Sequence, residues 1–149
     1  MAVQNELAAP CGLYCGVCAV YIATRDNNDK FREKLTGVYG VTADQLVCDG
    51  CLSDRVAGFC KICSIKSCCA EKKIEGCHQC GDFPCIHIDN FPIQVGKKVI
   101  LRSVPAWRQI GTDKWMEEEE KRYICPFCGY ALFRGVKKCR NCGNPVDLD

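Results

Sequence analysis

The sequence predicts a small, irregular α+β protein that is stabilised by metal ions, with short helices around cysteine-rich sites and a zinc ribbon at the C-terminal end. Three observations predict this class. The chain has 149 residues and carries 16 cysteines, a density typical of disulfide scaffolds or metal proteins. Six cysteine pairs share the spacing Cys-x2-Cys. Cysteines are absent between Cys85 and Cys125, where the apolar pattern becomes helical.

The repeated pairing favours metal over disulfides. Two thiolates three residues apart fit one tight turn, so both sulfur atoms can face one ion about 2.3 Å away. The first residues of the sequence do not show the basic segment followed by an apolar segment that is typical of a secretion signal. The apolar stretch at 17–23 is far too short to cross a bilayer. We therefore expect a cytoplasmic protein without a membrane partner, in a reducing compartment that keeps thiols available to metals.

The charge balance excludes a strongly basic protein. The formal net charge is +2 with every cysteine counted as neutral. Metal-bound cysteine is deprotonated, and four zinc tetrathiolate sites would make the chain negative. The net charge of the chain therefore does not indicate binding to nucleic acid.

The cysteine spacing divides the chain into three predicted parts. These are a cysteine-rich metal-binding domain at 1–92, a helical connector at 93–121 and the ribbon at 122–149. Apolar periodicity predicts helices over 16–25, 29–38 and 61–73, and Thr42 begins a capping box. In the connector, Pro105 is expected to interrupt the helical pattern and Thr112 to cap the next helix, whose acidic run at 117–120 is expected to face solvent.

The strongest motif is Cys-x2-Cys-x10-Cys-x2-Cys, formed by Cys125, Cys128, Cys139 and Cys142. A glycine follows each pair, where the backbone must turn sharply and approach sulfur. The residues at 130–134 are expected to form a strand between the two pairs. Such a short segment has almost no apolar core of its own, so the motif predicts a structural zinc ion.

A second motif is the spacing Cys-x3-Cys-x2-Cys at Cys11, Cys15 and Cys18. Radical S-adenosylmethionine enzymes hold an iron–sulfur cluster with this spacing. Here the third cysteine follows Val17 rather than an aromatic residue, and the chain lacks the strand–helix alternation of a barrel. These two departures exclude that enzyme class.

The motifs of the first part together resemble a prokaryotic family catalogued as domain-of-unknown-function family 3795. They are Cys-Gly-Leu-Tyr-Cys-Gly-x-Cys, Cys-Asp-Gly-Cys, Cys-x2-Cys-Ser-Ile-x3-Cys and Cys-x2-Cys-x-Asp-Phe-Pro-Cys, spanning residues 11–85. Members are described as small metal-binding proteins, and the family implies no reaction. The resemblance implies metal ligation by Cys11, Cys15, Cys18, Cys48, Cys51, Cys60, Cys63, Cys68, Cys77, Cys80 and Cys85.

The partition of these thiols into sites stays open in the sequence, since all-cysteine ligation fits both zinc and iron–sulfur clusters. Up to four Zn²⁺ ions are predicted for the chain, with an iron–sulfur cluster as the alternative at the N-terminal sites. One hypothesis groups Cys11, Cys15 and Cys18 with the single thiol Cys85. The matching units 60–68 and 77–85 suggest two similar ligand hairpins.

The remaining polar residues indicate no reaction. Cys69 is equally consistent with a buried spare thiol and with a metal ligand. His78 is expected to have a surface or supporting role. His87 is expected to be a partly buried neutral imidazole. The sequence shows no recognisable catalytic triad and no phosphate-binding loop. It therefore favours a protein that is not an enzyme. Three hypotheses remain: a zinc-stabilised interaction or regulatory module with a protein partner, an iron–sulfur redox or electron-transfer protein that uses residues 11–85, and a nucleic-acid-binding ribbon protein. The last rests on a basic strip of Arg122, Arg134, Lys137, Lys138 and Arg140.

Overall fold

The computed structural model describes residues 6–149, and residues 1–5 of the predicted first part lie outside it. The described chain is small and mostly helical. Short 3₁₀ turns cover Cys15–Val17, Ala43–Gln45 and Cys77–Gln79. The helices, α1 to α7, are Ala19–Arg25, Asp29–Tyr39, Gly58–Lys61, Ser64–Lys72, Ile86–Asp89, Gln94–Ile110 and Thr112–Arg122. None of these described helices is long and apolar enough to cross a membrane.

The β part of the predicted α+β class is corrected by the structure. Within the described residues, β pairing consists of isolated bridges, and the expected strand at 130–134 is reduced to one bridge between Ile124 and Ala131. Two backbone bonds flank that bridge: Cys125 N–H to the carbonyl of Tyr130 at 2.9 Å, and Leu132 N–H to the carbonyl of Tyr123 at 2.8 Å. The two arms are too short to continue this ladder, because each leads directly into a turn.

Local capping explains the helices that the sequence predicted best. Helix α2 begins where the side chain of Asn28 accepts a hydrogen bond from the backbone of Phe31 at 3.0 Å, and it ends at Gly40, which is left-handed at φ 68°. The capping box at Thr42 is also present. The predicted helix at 61–73 is instead split into α3 and α4, because Cys63 adopts an extended backbone between them.

The connector differs from the prediction in two places. Helix α6 continues through Pro105 without interruption, because Pro105 lies on the exposed face of the helix. There, water can hydrogen-bond the carbonyl that its missing N–H leaves free. Thr112 does not cap α7 with its side chain. Its hydroxyl oxygen instead accepts a hydrogen bond from the indole N–H of Trp107 at 2.9 Å.

The main apolar core lies between the connector helices and the N-terminal loop. The indole rings of Trp107 and Trp115 stack 4.2 Å apart, and Tyr14 meets Trp115 edge to face at 6.1 Å. The acidic run is not wholly solvated as expected. Glu119 is buried in a paired contact with Arg102 at 2.9 Å, and Glu120 accepts a hydrogen bond from the hydroxyl of Tyr14 at 3.1 Å.

Gly12 lies close to Val104 of α6. Its φ is +93°, and a Cβ at this position would lie 2.6 Å from Cγ2 of Val104. We expect Gly12→Ala to lower the free energy of unfolding by about 1–3 kcal/mol, because the added methyl overpacks the core in a strained backbone. Chemical denaturation of the metal-loaded protein measures this change.

Gly37 is the matched control for that substitution. It lies inside α2 with nothing within 4 Å of an added Cβ. Gly37→Ala is expected to stabilise the protein by about 0.5–1 kcal/mol through the better helix propensity of alanine. Equal effects of the two substitutions would contradict the close packing of Gly12 on Val104.

Candidate metal centre

The C-terminal segment, residues 123–149, contains the best-formed candidate metal site. Cys125, Cys128, Cys139 and Cys142 place their sulfur atoms within 4.8 Å of one another, and among the described residues only this set does so. The Sγ atoms of Cys125 and Cys142 are 3.7 Å apart, as are those of Cys128 and Cys139. A tetrahedral ion with metal–sulfur bonds of about 2.3 Å requires a sulfur spacing of about 3.8 Å. The predicted four cysteines therefore form a group that could hold one metal ion.

Two equivalent turns create this spacing. Gly129 donates its N–H to the carbonyl of Cys125 at 2.9 Å, and Gly143 donates to the carbonyl of Cys139 at 3.0 Å. Both glycines have a positive φ, of 77° and 78°, which only glycine adopts without strain. The positive φ required at both positions explains why each Cys-x2-Cys pair is followed by glycine.

Amide groups point at the sulfur atoms of this site. Backbone N–H of Asn141 lies 3.4 Å from Sγ of Cys139, and its side-chain amide lies 3.5 Å from Sγ of Cys128. The Asn141 side chain is the main cause that lowers the pKa of Cys128 to about 6. The backbone and side-chain amides of Asn144 lower the pKa of Cys142. Because hydrogen bonds to a charged form favour it, these sulfur atoms are prepared to act as thiolates.

Arg134 joins the C-terminal segment to the rest of the chain. Its backbone N–H donates to the carbonyl of Val17 at 2.8 Å, and its guanidinium donates to the carbonyl of Tyr14 at 3.0 Å. Among the described residues, no carboxylate lies within ion-pair distance of this guanidinium. Burial acts to lower the pKa of Arg134, but the neighbouring thiols of Cys18 and Cys15 raise it. The sequence analysis placed Arg134 on a basic surface and missed this internal position.

Arg140 also turns toward the protein. Its guanidinium lies 4.4 Å from the centre of the Phe31 ring in α2, and Phe133 packs on the same ring at 5.2 Å. Cation–π contacts of this kind contribute about 0.5–1 kcal/mol at exposed sites. Two members of the predicted basic strip, Arg134 and Arg140, thus contact other parts of the chain.

Seven thiols between residues 11 and 63 form a first thiol group. The backbone N–H of Cys51 lies 3.3 Å from Sγ of Cys15, and Cys48 Sγ accepts from the N–H of Gly50 at 3.4 Å. Burial, followed by the neighbouring Cys51 thiol, raises the pKa of Cys11 to about 12. The hydrogen bond with Cys15 lowers the pKa of Cys51 to about 7. The members are Cys11, Cys15, Cys18, Cys48, Cys51, Cys60 and Cys63.

Five further thiols form a second thiol group around a small cavity. They come from α4, from the Cys77–Gln79 turn and from the residues before α5. The sulfur atoms of Cys69 and Cys77 are 4.0 Å apart, and Lys72 Nζ lies 3.2 Å from Sγ of Cys80. The members are Cys68, Cys69, Cys77, Cys80 and Cys85.

This arrangement bears on the hypothesis that Cys85 completes a site with Cys11, Cys15 and Cys18. The structure does not bring those four sulfur atoms within 4.8 Å of one another. Cys85 instead lines the cavity of the second thiol group, because it immediately precedes α5, which packs against α4. The matching units 60–68 and 77–85 are also not two separate hairpins, since Cys68 lies with the later unit.

Both histidines are partly buried, and Cys69 is buried. His78 stacks on Trp107 with ring centres 3.7 Å apart, and its Nδ1 is the buried side-chain atom that lacks a hydrogen-bond partner among the described residues. Burial lowers the pKa of His78, which favours the neutral form of the ring. His87 is partly buried beside the cavity. Cys69 is buried against Cys77.

Residues 7–90 match a protein family described as a protein of unknown function, DUF3795. The match covers more than half of the chain, and both thiol groups lie inside it. The chain therefore belongs to this family, whose description names no function. Comparisons with curated proteins and with solved structures gave no match.

Proposed function

We propose that the chain is a zinc-binding interaction or regulatory module, in which residues 122–149 act as a zinc ribbon attached to the cysteine-rich family domain. The observation that carries the proposal is the tetrahedral spacing of Cys125, Cys128, Cys139 and Cys142. Four protein sulfur ligands complete the coordination of a zinc ion and leave no position for a substrate. The ion would then have a structural role.

The small core of the segment supports this role. Its apolar cluster contains Leu132, Val136 and Val146, together with the ligands Cys125 and Cys139. Such a core is far too small to fold alone. A zinc ion would fix the two turns and thereby position Arg134 beside the family domain. All 16 cysteines are free thiols, as ligation in a reducing, cytoplasmic setting would require.

A protein partner fits the surface of the ribbon better than a nucleic acid does. Arg134 and Arg140 contact the protein itself, so two guanidinium groups of the basic strip are engaged by contacts within the chain. Apolar side chains are exposed on the same segment at Ile124, Phe127 and Tyr130, with Phe127 at 66%. Aromatic residues with little charge around them are typical of protein interfaces.

The first thiol group is the basis of the alternative function, an iron–sulfur redox or electron-transfer protein. Among its seven thiols, no three reach the spacing of the ribbon ligands. Wider spacing suits a multi-iron cluster better than a single ion, so an iron–sulfur redox centre is the second candidate at this group. Anaerobic purification with metal analysis and visible absorption separates the two functions, because zinc proteins are colourless.

The ribbon is tested by Cys139→Ser in the full chain. Cys139 is buried and makes the 3.7 Å contact with Cys128. We expect the variant to lose one zinc ion per chain and the amide protection of residues 123–149, because three ligands cannot close the site. Lys138→Ala is the matched control, since Lys138 is exposed beside the same ligand. An unchanged zinc content in Cys139→Ser would overturn the proposal.

A further inference from the structure

We infer that the ribbon is a zinc-dependent clamp on the Cys15–Val17 turn, through which metal occupancy of the ribbon is transmitted to the first thiol group. The segment that makes the contact, called the ribbon tip, consists of residues 133–136 between the two cysteine pairs. The inference rests on the proposed zinc ribbon and adds what that ribbon regulates. It requires no metal ion at the first thiol group itself.

One residue of the ribbon tip holds both ends of the turn. The backbone N–H of Arg134 donates to the carbonyl of Val17 at 2.8 Å, and its guanidinium donates to the carbonyl of Tyr14 at 3.0 Å. Tyr14 immediately precedes the turn, and Val17 is its last residue. The N–H of Cys18 then closes the turn by donating to the carbonyl of Cys15 at 3.0 Å. Withdrawal of Arg134 therefore frees the turn that positions both of these thiols.

Further contacts attach the ribbon beside the same thiols. The ring of Phe133 lies 5.2 Å from the ring of Phe31 in α2, and the guanidinium of Arg140 lies 4.4 Å from the centre of the Phe31 ring. Phe133 packs against the apolar cluster of α1 and α2, as do Cys18 and Cys60. The ribbon therefore adjoins two members of the first thiol group in addition to the turn that it holds.

The conformation of the ribbon tip depends on the core of the ribbon. Leu132 and Val136, at the two ends of the tip, are buried in the cluster that also contains Cys125 and Cys139. The N–H of Val136 donates to the carbonyl of Phe133 at 3.2 Å and so closes the tip. Because this cluster has only five buried residues, it is too small to keep its shape without the ion. Loss of zinc therefore releases the tip, and both hydrogen bonds to the turn are lost with it.

The coupling between ribbon and turn is reciprocal. If zinc at the ribbon stabilises the docked turn, then the docked turn stabilises zinc at the ribbon by the same factor. The guanidinium of Arg134 allows this factor to be measured, because it bonds to the turn and is not a metal ligand. Loss of one hydrogen bond from a charged group corresponds to about a tenfold change in an equilibrium constant.

NMR-detected hydrogen exchange of the full chain, loaded with zinc under reducing conditions, tests the clamp. The amides of Gly129 and Gly143 close the two ribbon turns and report zinc occupancy, whereas the amide of Cys18 reports the Cys15–Val17 turn. At saturating zinc, we expect Arg134→Ala to accelerate exchange at Cys18 about tenfold. The same variant is expected to lose its ribbon zinc at about a tenfold lower concentration of chelator.

Lys137→Ala is the matched control for Arg134→Ala. Lys137 lies on the same hairpin and is exposed, so its truncation is expected to change neither exchange at Cys18 nor the zinc retention of the ribbon. Wild-type exchange at Cys18 in Arg134→Ala would overturn the clamp. Equal acceleration in both variants would overturn it too, since the effect would then not come from the contacts of Arg134.

Cys139→Ser separates failure of the clamp from failure of the ribbon. We expect this variant to lose the ribbon zinc and to exchange faster at Cys18. Loss of zinc with wild-type exchange at Cys18 would overturn the clamp and leave the zinc ribbon standing. Retained zinc would overturn the ribbon, and the clamp with it. The amide of Gly111, which donates to the carbonyl of Trp107 at 2.9 Å, is the folding control. If its protection is also lost in Cys139→Ser, the result for Arg134→Ala decides.

Discussion

Removal of metal at neutral pH is expected to abolish the native structure of residues 123–149 and to unfold the chain. The apolar cluster of that segment has five buried residues, and two of them, Cys125 and Cys139, are candidate metal ligands. Structural zinc in comparable small sites contributes on the order of 10 kcal/mol. Without the ion, the contacts of Arg134 with Val17 and Tyr14 lose their support. Far-UV circular dichroism and hydrogen exchange before and after a strong chelator measure the loss.

Acid is expected to produce the same result. Metal ligation requires deprotonated sulfur, so protons compete with the ion and metal-linked stability falls as the pH falls. Readdition of Zn²⁺ at neutral pH under reducing conditions is the control, and it is expected to restore the native spectrum. Retention of native circular dichroism and amide protection after complete demetallation would contradict the prediction.

Trp107→Ala is expected to have the largest effect of any single substitution in the apolar core. The side chain is 1% exposed and is stacked between Trp115 at 4.2 Å and His78 at 3.7 Å. Truncation of a buried tryptophan costs about 3–5 kcal/mol, because a large cavity remains. Urea denaturation with saturating zinc measures the loss without changing the metal sites.

Leu101→Ala is the matched control on the same helix. Leu101 lies in α6, but 41% of its surface is exposed, so its truncation leaves no cavity and is expected to cost below about 1 kcal/mol. A similar change for both variants would show that the Trp107–Trp115 stack is not the centre of the core. A displaced His78 ring in Trp107→Ala, visible as a changed imidazole signal, would support the stacking.

The local parts of the fold were predictable because their causes lie within a few residues. The four C-terminal cysteines occur in two turns with one glycine each, and the 3.7 Å sulfur contacts follow from those turns. The cap of α2 by Asn28 has the same local origin. The chain also belongs to the family that its motifs indicated. The expected strand at 130–134 is wrong because a strand needs a partner arm long enough to extend the single bridge, and the spacing of the cysteines does not reveal that length.

The sequence by itself determined that this protein is cysteine-rich, belongs to DUF3795 and contains a four-cysteine set near its C-terminal end. Only the tertiary structure decided that Cys85 lies with Cys68 and Cys80, and that the guanidinium of Arg134 donates to the carbonyl of Tyr14. The physical reason is distance along the chain. Residues a few positions apart are brought together by one turn, whereas residues tens of positions apart meet only through the packing of helices such as α4 on α5.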